Sequence, residues 1–380
     1  MSNGQRNTNI DFLRGLSILS VIFLHLNIRL PFKDTALGEW LPRSFYNLIF
    51  WSGYYGVCVF FVISGYLITR SSIIKWGRLE QINVKQFYYF RFARIMPLLV
   101  LIVSVLVIFH WLQVPHFVIN TEKTSLAETV FAALAFHINY LEIQHGYLPG
   151  AWDIMWSLSI EEVFYLCFPL ILLIMPSERW FVIVQMVFLI ISPWARTQWY
   201  IGNDLGDRNY LAYVDAIYIG CLACIISMRI KFSDLTSKIC FVIGCLLIFI
   251  VLYFRGWLYR NGISKIGLNA SLLSLGTGLL LIHFHRQEKS HRLPGFGIKA
   301  FVAWLGKYSY EVYLTHMFIA IGIFEVYRGL NLSGVWLYWV YLLTIPLSGA
   351  LGMLVARFFS QPANRWLRSY IVDKRGDRSR

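Results

Sequence analysis

Long apolar segments separated by short polar ones run along the whole chain. A bilayer core of about 30 Å needs about 20 apolar residues per helix, and ten segments reach or approach that length. They cover residues 10–30, 48–68, 93–112, 157–175, 180–193, 210–228, 239–254, 267–282, 308–326 and 335–358. The pattern predicts an all-α polytopic membrane protein, a bundle of about ten transmembrane helices. The fifth span is short enough to be broken or only partly inserted.

Composition points the same way. Of the 380 residues, 57% are hydrophobic and 14% are charged, whereas about a quarter of a soluble domain is charged. We therefore expect one membrane domain over residues 1–380, surrounded by membrane lipids and without an appended soluble domain. The net charge of +14 would suggest nucleic acid in a soluble protein. Here the charges lie in short loops, which indicates the positive-inside bias and no nucleic-acid partner.

Loop charges also predict an orientation. Lysine and arginine predominate after the second, sixth and eighth spans and in the C-terminal tail, while acidic residues predominate in the long third loop. The positive-inside rule then places both termini in the cytoplasm. The seventh loop opposes this scheme, because it carries Arg255, Arg260 and Lys265.

The third loop contains a predicted amphipathic helix. Ser125 begins it and His137 ends it, with Thr124 or Ser125 as the cap and Glu128 in the first turn. A long ordered loop often carries function, but a surface helix lying on the bilayer would give the same pattern.

Away from its two ends, the first span has two ionisable residues, which lipid makes costly and which are therefore functional candidates. Arg14 and His25 are eleven positions apart, which is about three turns and about 16 Å of helix, so both face one side. Arg14 could hold a phosphate or carboxylate, and His25 could act as a general base on a hydroxyl. A structural arginine and a packed, hydrogen-bonded histidine are the alternative.

Two adjacent carboxylates open the fourth span, shortly after Trp156. Glu161 and Glu162 are predicted near the outer third of the membrane, at the depth of His25. A carboxylate there could orient the imidazole. Since neighbours on a helix point about 100° apart, only one can do so, and we assign this role to Glu161. A carboxylate paired with a membrane arginine is the alternative.

A pair of arginines enters the third span from the predicted cytoplasmic side. Arg91 and Arg94 are three positions apart and share a helix face. Their guanidinium groups suit phosphates, and Lys85 lies just upstream. Lipid head groups would explain these charges equally well.

Further candidates could line a substrate cavity. These residues are Ser64, Tyr66, Trp156, Glu162 and His316. The small residues around Ser64 could instead serve helix packing. No base lies at a fixed spacing from that serine, so we assign it no nucleophilic role.

Together these motifs resemble the acyltransferase-3 family of membrane O-acyltransferases. Five segments in family order carry the resemblance over nearly the whole chain: DFLRG at 11–15 followed by His25, FFVISGYLI at 60–68, the Arg91–Arg94 pair, WSLSIEEVFY at 156–165 and YLTH at 313–316. Asp215 and Gly220 lie where the family often has these residues. The family's Glu-x-Pro near the C-terminus is replaced by Ser360-Gln361-Pro362, so we expect no charged role for the tail.

The six cysteines all lie in apolar segments and show no metal-ligand spacing, so we expect no metal. The resemblance implies an enzyme that uses acyl-coenzyme A, with acetyl-coenzyme A as the first choice. Arg14, Arg91, Arg94 and Lys85 would bind this donor, and His25 would be catalytic. The implied acceptor is a glycan or lipid-linked glycan, such as an exopolysaccharide or lipopolysaccharide precursor. The protein would be multi-pass in the bacterial inner membrane, as a monomer or homodimer. A polysaccharide or lipid-linked sugar exporter and a non-catalytic sensor remain as alternatives.

Overall fold

The computed structural model describes residues 6–175, 177–198, 206–287 and 297–376, and it contains no strand within these ranges. In chain order the α-helices are α1 Thr8–Arg29, α2 Ala36–Trp40, α3 Arg43–Phe50, α4 Gly53–Trp76, α5 Val84–Trp111, α6 Leu126–Leu134, α7 Ile138–His145, α8 Gly150–Asp153, α9 Trp156–Ile174, α10 Glu178–Gln198, α11 Val214–Arg229, α12 Asp234–Tyr253, α13 Arg255–Arg260, α14 Leu268–Gln287, α15 Ile298–Lys307, α16 Ser309–Gly329, α17 Trp336–Val355 and α18 Gln361–Gly376.

Nine helical segments within the described ranges are long and apolar enough to cross a membrane. They match nine of the ten predicted spans, so the all-α membrane fold is confirmed. The remaining one, the predicted ninth span, is α16. This helix of 21 residues buries the polar residues Ser309, Glu311, Thr315 and His316. The orientation stays a prediction from loop charge. Part of the eighth loop, with Glu288, Lys289 and Arg292, lies outside the described residues.

Several predicted spans have different limits in the structure; the second is Gly53–Trp76 and the third is Val84–Trp111. The fifth was predicted to be short, and either broken or only partly inserted, yet α10 is continuous over 21 residues with Pro193 inside it. The fourth begins at Gly150 rather than Ser157, because α8 and α9 together form the apolar segment Gly150–Ile174. Glu161 therefore lies near the middle of its span instead of near the outer third of the membrane.

Close helix crossings fix how α1 and α4 are packed. A Cβ on Gly306 of α15 would lie 1.7 Å from the Asp11 carbonyl oxygen of α1. A Cβ on Gly65 of α4 or on Gly220 of α11 would lie 1.9 Å from a backbone oxygen of the opposite helix. Only glycine allows backbones this close. Packing is therefore the role of Gly65 within the small-residue stretch.

The predicted third-loop helix is confirmed but is shorter than expected. Ser125 caps α6, and its Oγ accepts a hydrogen bond from the Glu128 backbone N–H at 3.1 Å. Thr124 donates to the Glu128 carboxylate at 2.8 Å. The helix ends at Leu134, and Phe136 then adopts a left-handed conformation with φ of 59°, so the helix does not reach His137.

Helix directions define two ends of the bundle. Helix α4 runs antiparallel to α1, because a Cβ on Gly53 would touch Leu24 and one on Gly56 would touch the Ser17 carbonyl oxygen. We call the end where α1 and α5 begin and α4 ends the Arg14 end. The His25 end is where α1 ends, α4 begins, and α3 and α13 lie.

Candidate active site

A cavity of about 570 Å³ lies at the Arg14 end. Its lining is strongly basic, because six cationic side chains from four helices face a single carboxylate, that of Glu161. The cationic residues are Arg14, Arg70, Lys75, Arg91, Arg94 and Arg368. Three of them were predicted as donor ligands, and the other three were not.

The three predicted arginines are positioned by rings and a hydroxyl. Arg14 donates through Nε to the Ser309 hydroxyl at 2.9 Å. The Arg91 guanidinium carbon lies 4.6 Å from the Tyr165 ring centroid, and that of Arg94 lies 5.6 Å from the Tyr310 ring. Within the described ranges none of the three forms a salt bridge, so their charges are available to an anionic ligand.

Two predictions about basic residues need correction. Lys85 is exposed and does not line this cavity. Six positions separate it from Arg91, which is about 240° around a helix, so the two side chains face different directions. The tail does carry a charged residue into the site, since Arg368 of α18 lines the wall. Ser360, which stands in place of the family glutamate, donates instead to the Glu311 carboxylate at 2.8 Å.

A narrow extension of about 90 Å³ continues from this cavity toward the bundle interior. Arg14, Phe60 and Glu161 line both spaces. The extension reaches Ser157 and Tyr313, whose hydroxyl groups are 2.8 Å apart. The Tyr313 hydroxyl also donates to the Ile154 carbonyl at 2.9 Å, which holds this ring in place.

Two histidines lie next to one another beyond Tyr313. The ring centroids of His25 and His316 are 5.2 Å apart, and that of His316 is 6.0 Å from that of Tyr313. His316 is fully buried. Its Nδ1 donates to the Tyr313 carbonyl at 2.7 Å, so Nε2 carries the lone pair in the neutral ring. That Nε2 is buried without a hydrogen-bond partner among the described residues.

The predicted common face of Arg14 and His25 is confirmed, because both contact α16, at Ser309 and His316 respectively. His25 itself is not among the residues that line the cavity or its extension. Tyr313 stands between the extension and the histidine pair.

The predicted pairing of Glu161 with His25 is replaced by another arrangement. Glu161 lies in the cavity wall with Arg14 and Arg91 as its charged neighbours, and it accepts a hydrogen bond from the Tyr165 hydroxyl at 3.4 Å. Glu161 and His25 lie at different depths in the bundle, because the fourth span begins seven residues earlier than predicted. Glu161 is thereby carried toward the Arg14 end.

Among the cavity candidates only Ser64 lines the main cavity, where its hydroxyl is hydrogen-bonded to Tyr165. Tyr66 lies two positions on, about 200° around the helix, and its hydroxyl contacts His285 Nδ1 at 2.8 Å. Trp156 packs on the Tyr213 ring at 5.6 Å. Glu162 lines neither space, and its Oε1 is buried without a hydrogen bond to any residue that the structure describes. His316, as described, lies beyond the extension.

A buried charge cluster near His25 was not predicted. Arg208 donates to Glu142 at 2.8 Å and to Asp153 at 2.6 Å, and it is among the charged neighbours of His25. Burial, helped by the charge of Asp153 and opposed by Arg208, raises the pKa of Glu142 to about 9. Glu142 and Asp153 lie 66 and 55 positions from Arg208 along the chain, so no sequence spacing predicts this contact. No group of three or more metal-ligating side chains in the described ranges could hold a metal ion.

Comparison with known proteins identifies the family. The model of the acyltransferase domain of the acyltransferase-3 type matches residues 7–358. The chain belongs to this acyltransferase family. Apart from Arg368, all residues that line the cavity and its extension, and both histidines, lie within the matched part. The resemblance carried by the motifs is confirmed. Family membership and the apolar helices together make this an integral membrane protein.

Relatives within the family are O-acetyltransferases by name. Peptidoglycan O-acetyltransferase OatA of Listeria monocytogenes is 26% identical over 81% of this chain and 48% of its own length. O-acetyltransferase OatA of Staphylococcus aureus is 24% identical over 94% of this chain and 57% of its own length. The chain thus spans about half the length of the curated relatives it matches. No solved structure gives a significant match.

Proposed function

We propose that this acyltransferase-3 protein transfers an acyl group, with acetyl as the first choice, from acyl-coenzyme A to a sugar hydroxyl. The acceptor is a surface polysaccharide or its lipid-linked precursor. Peptidoglycan, the polymer named for the Listeria relative, is one acceptor of this class. The observation that carries the proposal is the basic cavity of about 570 Å³ whose narrow extension leads toward two histidines.

The charge of the cavity fits the donor. Coenzyme A carries a phosphorylated adenosine diphosphate at one end and a thin pantetheine arm at the other. Six cationic side chains against one carboxylate suit the phosphates, and the planar forks of Arg91 and Arg94 can bind them in two-pronged fashion. The extension, of about 90 Å³, is too small for the whole arm as it stands. It marks the direction in which the arm and its thioester would enter.

The reaction requires the thioester to pass Tyr313. The Phe60 and Tyr313 rings, 6.3 Å apart between centroids, border the extension and must move apart for this step. His25 then takes the proton of the acceptor hydroxyl, and the resulting alkoxide attacks the thioester carbonyl. The C–S bond breaks, and the coenzyme A thiolate leaves and takes the proton back from His25. An acyl-enzyme intermediate is not needed.

We assign to His316 the positioning role first given to Glu161. Its Nδ1–H is committed to the Tyr313 carbonyl, so Nε2 can accept a hydrogen bond but not donate one. The adjacent His25 ring is the group that can provide this bond, which would favour the tautomer with a free lone pair on its other nitrogen.

The two ends of the bundle give the reaction a direction. The Arg14 end is the predicted cytoplasmic side, where acyl-coenzyme A is available, and the acceptor reaches His25 from the other side. The acyl group would then cross part of the bacterial cell membrane during transfer.

Purified protein in proteoliposomes provides the test. With acetyl-coenzyme A labelled in the acetyl group and an oligosaccharide acceptor, we expect label to appear in the sugar as a base-labile ester, with free coenzyme A released in equal amount. If the oligosaccharide instead crosses the membrane while acetyl-coenzyme A stays intact, the exporter interpretation replaces ours. The family match favours the transferase.

A further inference from the structure

The arginines of the seventh loop contradict the positive-inside pattern, and the structure shows what they share. Arg255 and Arg260 line a cavity of about 670 Å³ at the His25 end, together with Arg43 of α3. No aspartate or glutamate is among the residues that line it. Arginine is not favoured on the outer side of a membrane protein, so three of them around one cavity need a reason.

Arg255 has a structural role, whereas Arg43 and Arg260 are available to bind a ligand. Arg255 donates to the backbone carbonyls of Asn47 at 3.3 Å and Trp51 at 3.0 Å, and thereby ties α13 to the end of α3. Arg43 and Arg260 are exposed and form no salt bridge within the described ranges. Their guanidinium groups can therefore bind an anion entering the cavity.

The rest of the lining suits a sugar better than a lipid head group. The aromatic side chains of Tyr55, Tyr253 and Trp257 offer flat apolar faces with polar edges. Ser44, Asn47, Ser264 and Asn269 add hydroxyl and amide groups, which pair with the many hydroxyls of a saccharide. A small number of polar groups placed among aromatic rings is typical of a small-ligand site.

The cavity is also part of a longer groove. A second cavity, of about 730 Å³, shares Arg43, Asn47 and Arg255 with the first. The two spaces therefore adjoin across α3 and give room for more than one sugar ring, as an extended polymer requires.

The groove lies on the same side of the bundle as the histidine pair. The Tyr55 ring is 5.4 Å from the Tyr54 ring, and the Tyr54 hydroxyl accepts from that of Tyr213 at 2.6 Å. Tyr213 in turn packs on Trp156, over which the Arg208 guanidinium lies at 4.5 Å. A chain of side-chain contacts therefore connects the groove with the cluster that borders His25.

We propose that this groove binds acidic sugar units of the acceptor polysaccharide, with Arg43 and Arg260 holding the carboxylate of the sugar. The inference rests on the proposed function, because it names the charge of the acceptor that the transferase uses.

The test uses the full chain in phosphatidylcholine nanodiscs and a matched pair of disaccharides. One is N-acetylglucosaminyl-N-acetylmuramic acid, which carries a carboxylate, and the other is N,N′-diacetylchitobiose, which does not. We expect tighter binding of the acidic disaccharide and a loss of about tenfold for each of Arg43→Gln and Arg260→Gln. Arg328→Gln removes an exposed arginine at the end of α16 and serves as the charge control, with unchanged binding.

Three results would overturn the inference. The first is equal affinity of the wild type for both disaccharides, and the second is wild-type affinity in Arg43→Gln and Arg260→Gln. The third is displacement of the acidic disaccharide by glycerol phosphate at equal concentration, which would identify a lipid head-group site.

Acetyl-coenzyme A binding, measured on the same preparations, separates the two proposals. If acetyl-coenzyme A binds, and Arg43→Gln and Arg260→Gln do not weaken disaccharide binding, only the groove inference fails. If the donor does not bind the wild type while the arginine variants lose the acidic sugar, the proposed function fails and the sugar site stands.

Discussion

Two polar residues of α1, Arg14 and His25, meet very different surroundings. Arg14 faces a cavity of about 570 Å³ with five further cationic side chains around it. His25, eleven positions along the same helix face, lies against a single buried imidazole. In the proposed reaction, binding of the anionic donor is shared among many groups, whereas proton transfer depends on the two histidines. Substitutions in the cavity should therefore have graded effects, and substitution of the histidine should have a much larger one.

Replacing His25 with alanine should give the largest effect. Without a general base, the transfer rate should fall by about 10²- to 10⁴-fold, while acetyl-coenzyme A affinity should stay the same because His25 does not line the donor cavity. Label transfer and donor binding by the same purified variant measure both quantities. A normal transfer rate would show that His25 is not the base.

Replacing the arginines of the cavity should give the next largest effect. Arg91→Ala and Arg94→Ala should each weaken acetyl-coenzyme A binding by about tenfold, and the loss should shrink at high salt because screening weakens these contacts. Lys85→Ala is the matched control, since that exposed side chain lies outside the cavity. Titration with acetyl-coenzyme A at low and high salt distinguishes the arginine variants from this control. An equal loss for Lys85→Ala would favour the ligand set expected from sequence over the one in the structure.

Replacing Glu161 with glutamine should have a smaller effect of opposite sign. It removes the single carboxylate of the cavity lining, so the donor should bind about two- to fivefold tighter at low salt. The transfer rate at saturating donor should change little. A fall in rate of a hundredfold with unchanged donor affinity would instead support the first assignment of Glu161 as the residue that orients His25.

Substitution in the buried charge cluster near His25 should give the smallest effect. This effect is on stability and not on transfer. The raised pKa of Glu142, about 9, means that the folded state keeps a proton that the unfolded state releases above its ordinary pKa of 4.5. Stability from this group is complete below pH 4.5 and is lost as the pH rises toward 9. Between pH 6 and pH 9 the apparent Tm should fall further for the wild type than for Glu142→Gln, by several degrees. Parallel curves for the two proteins would contradict this assignment.

The number and position of the membrane helices could be read from the sequence with few errors. Lipid offers no hydrogen bonds, so each span must be a helix long enough to cross, and apolar length is visible in the chain. The shared face of Arg14 and His25 was equally accessible, because it follows from the helical period alone. The start of the fourth span was misplaced, because the short helix α8 joins α9 in one apolar segment.

Which polar side chains meet was decided only by the tertiary structure. His316 reaches His25, Glu161 reaches Arg14, and Arg208 reaches Glu142 across long stretches of chain. These meetings depend on how deep each helix lies and how it is rotated, and close crossings such as that of Gly306 against Asp11 set both. Local sequence determines a helix and its faces, but contact between helices depends on the packing of all of them together.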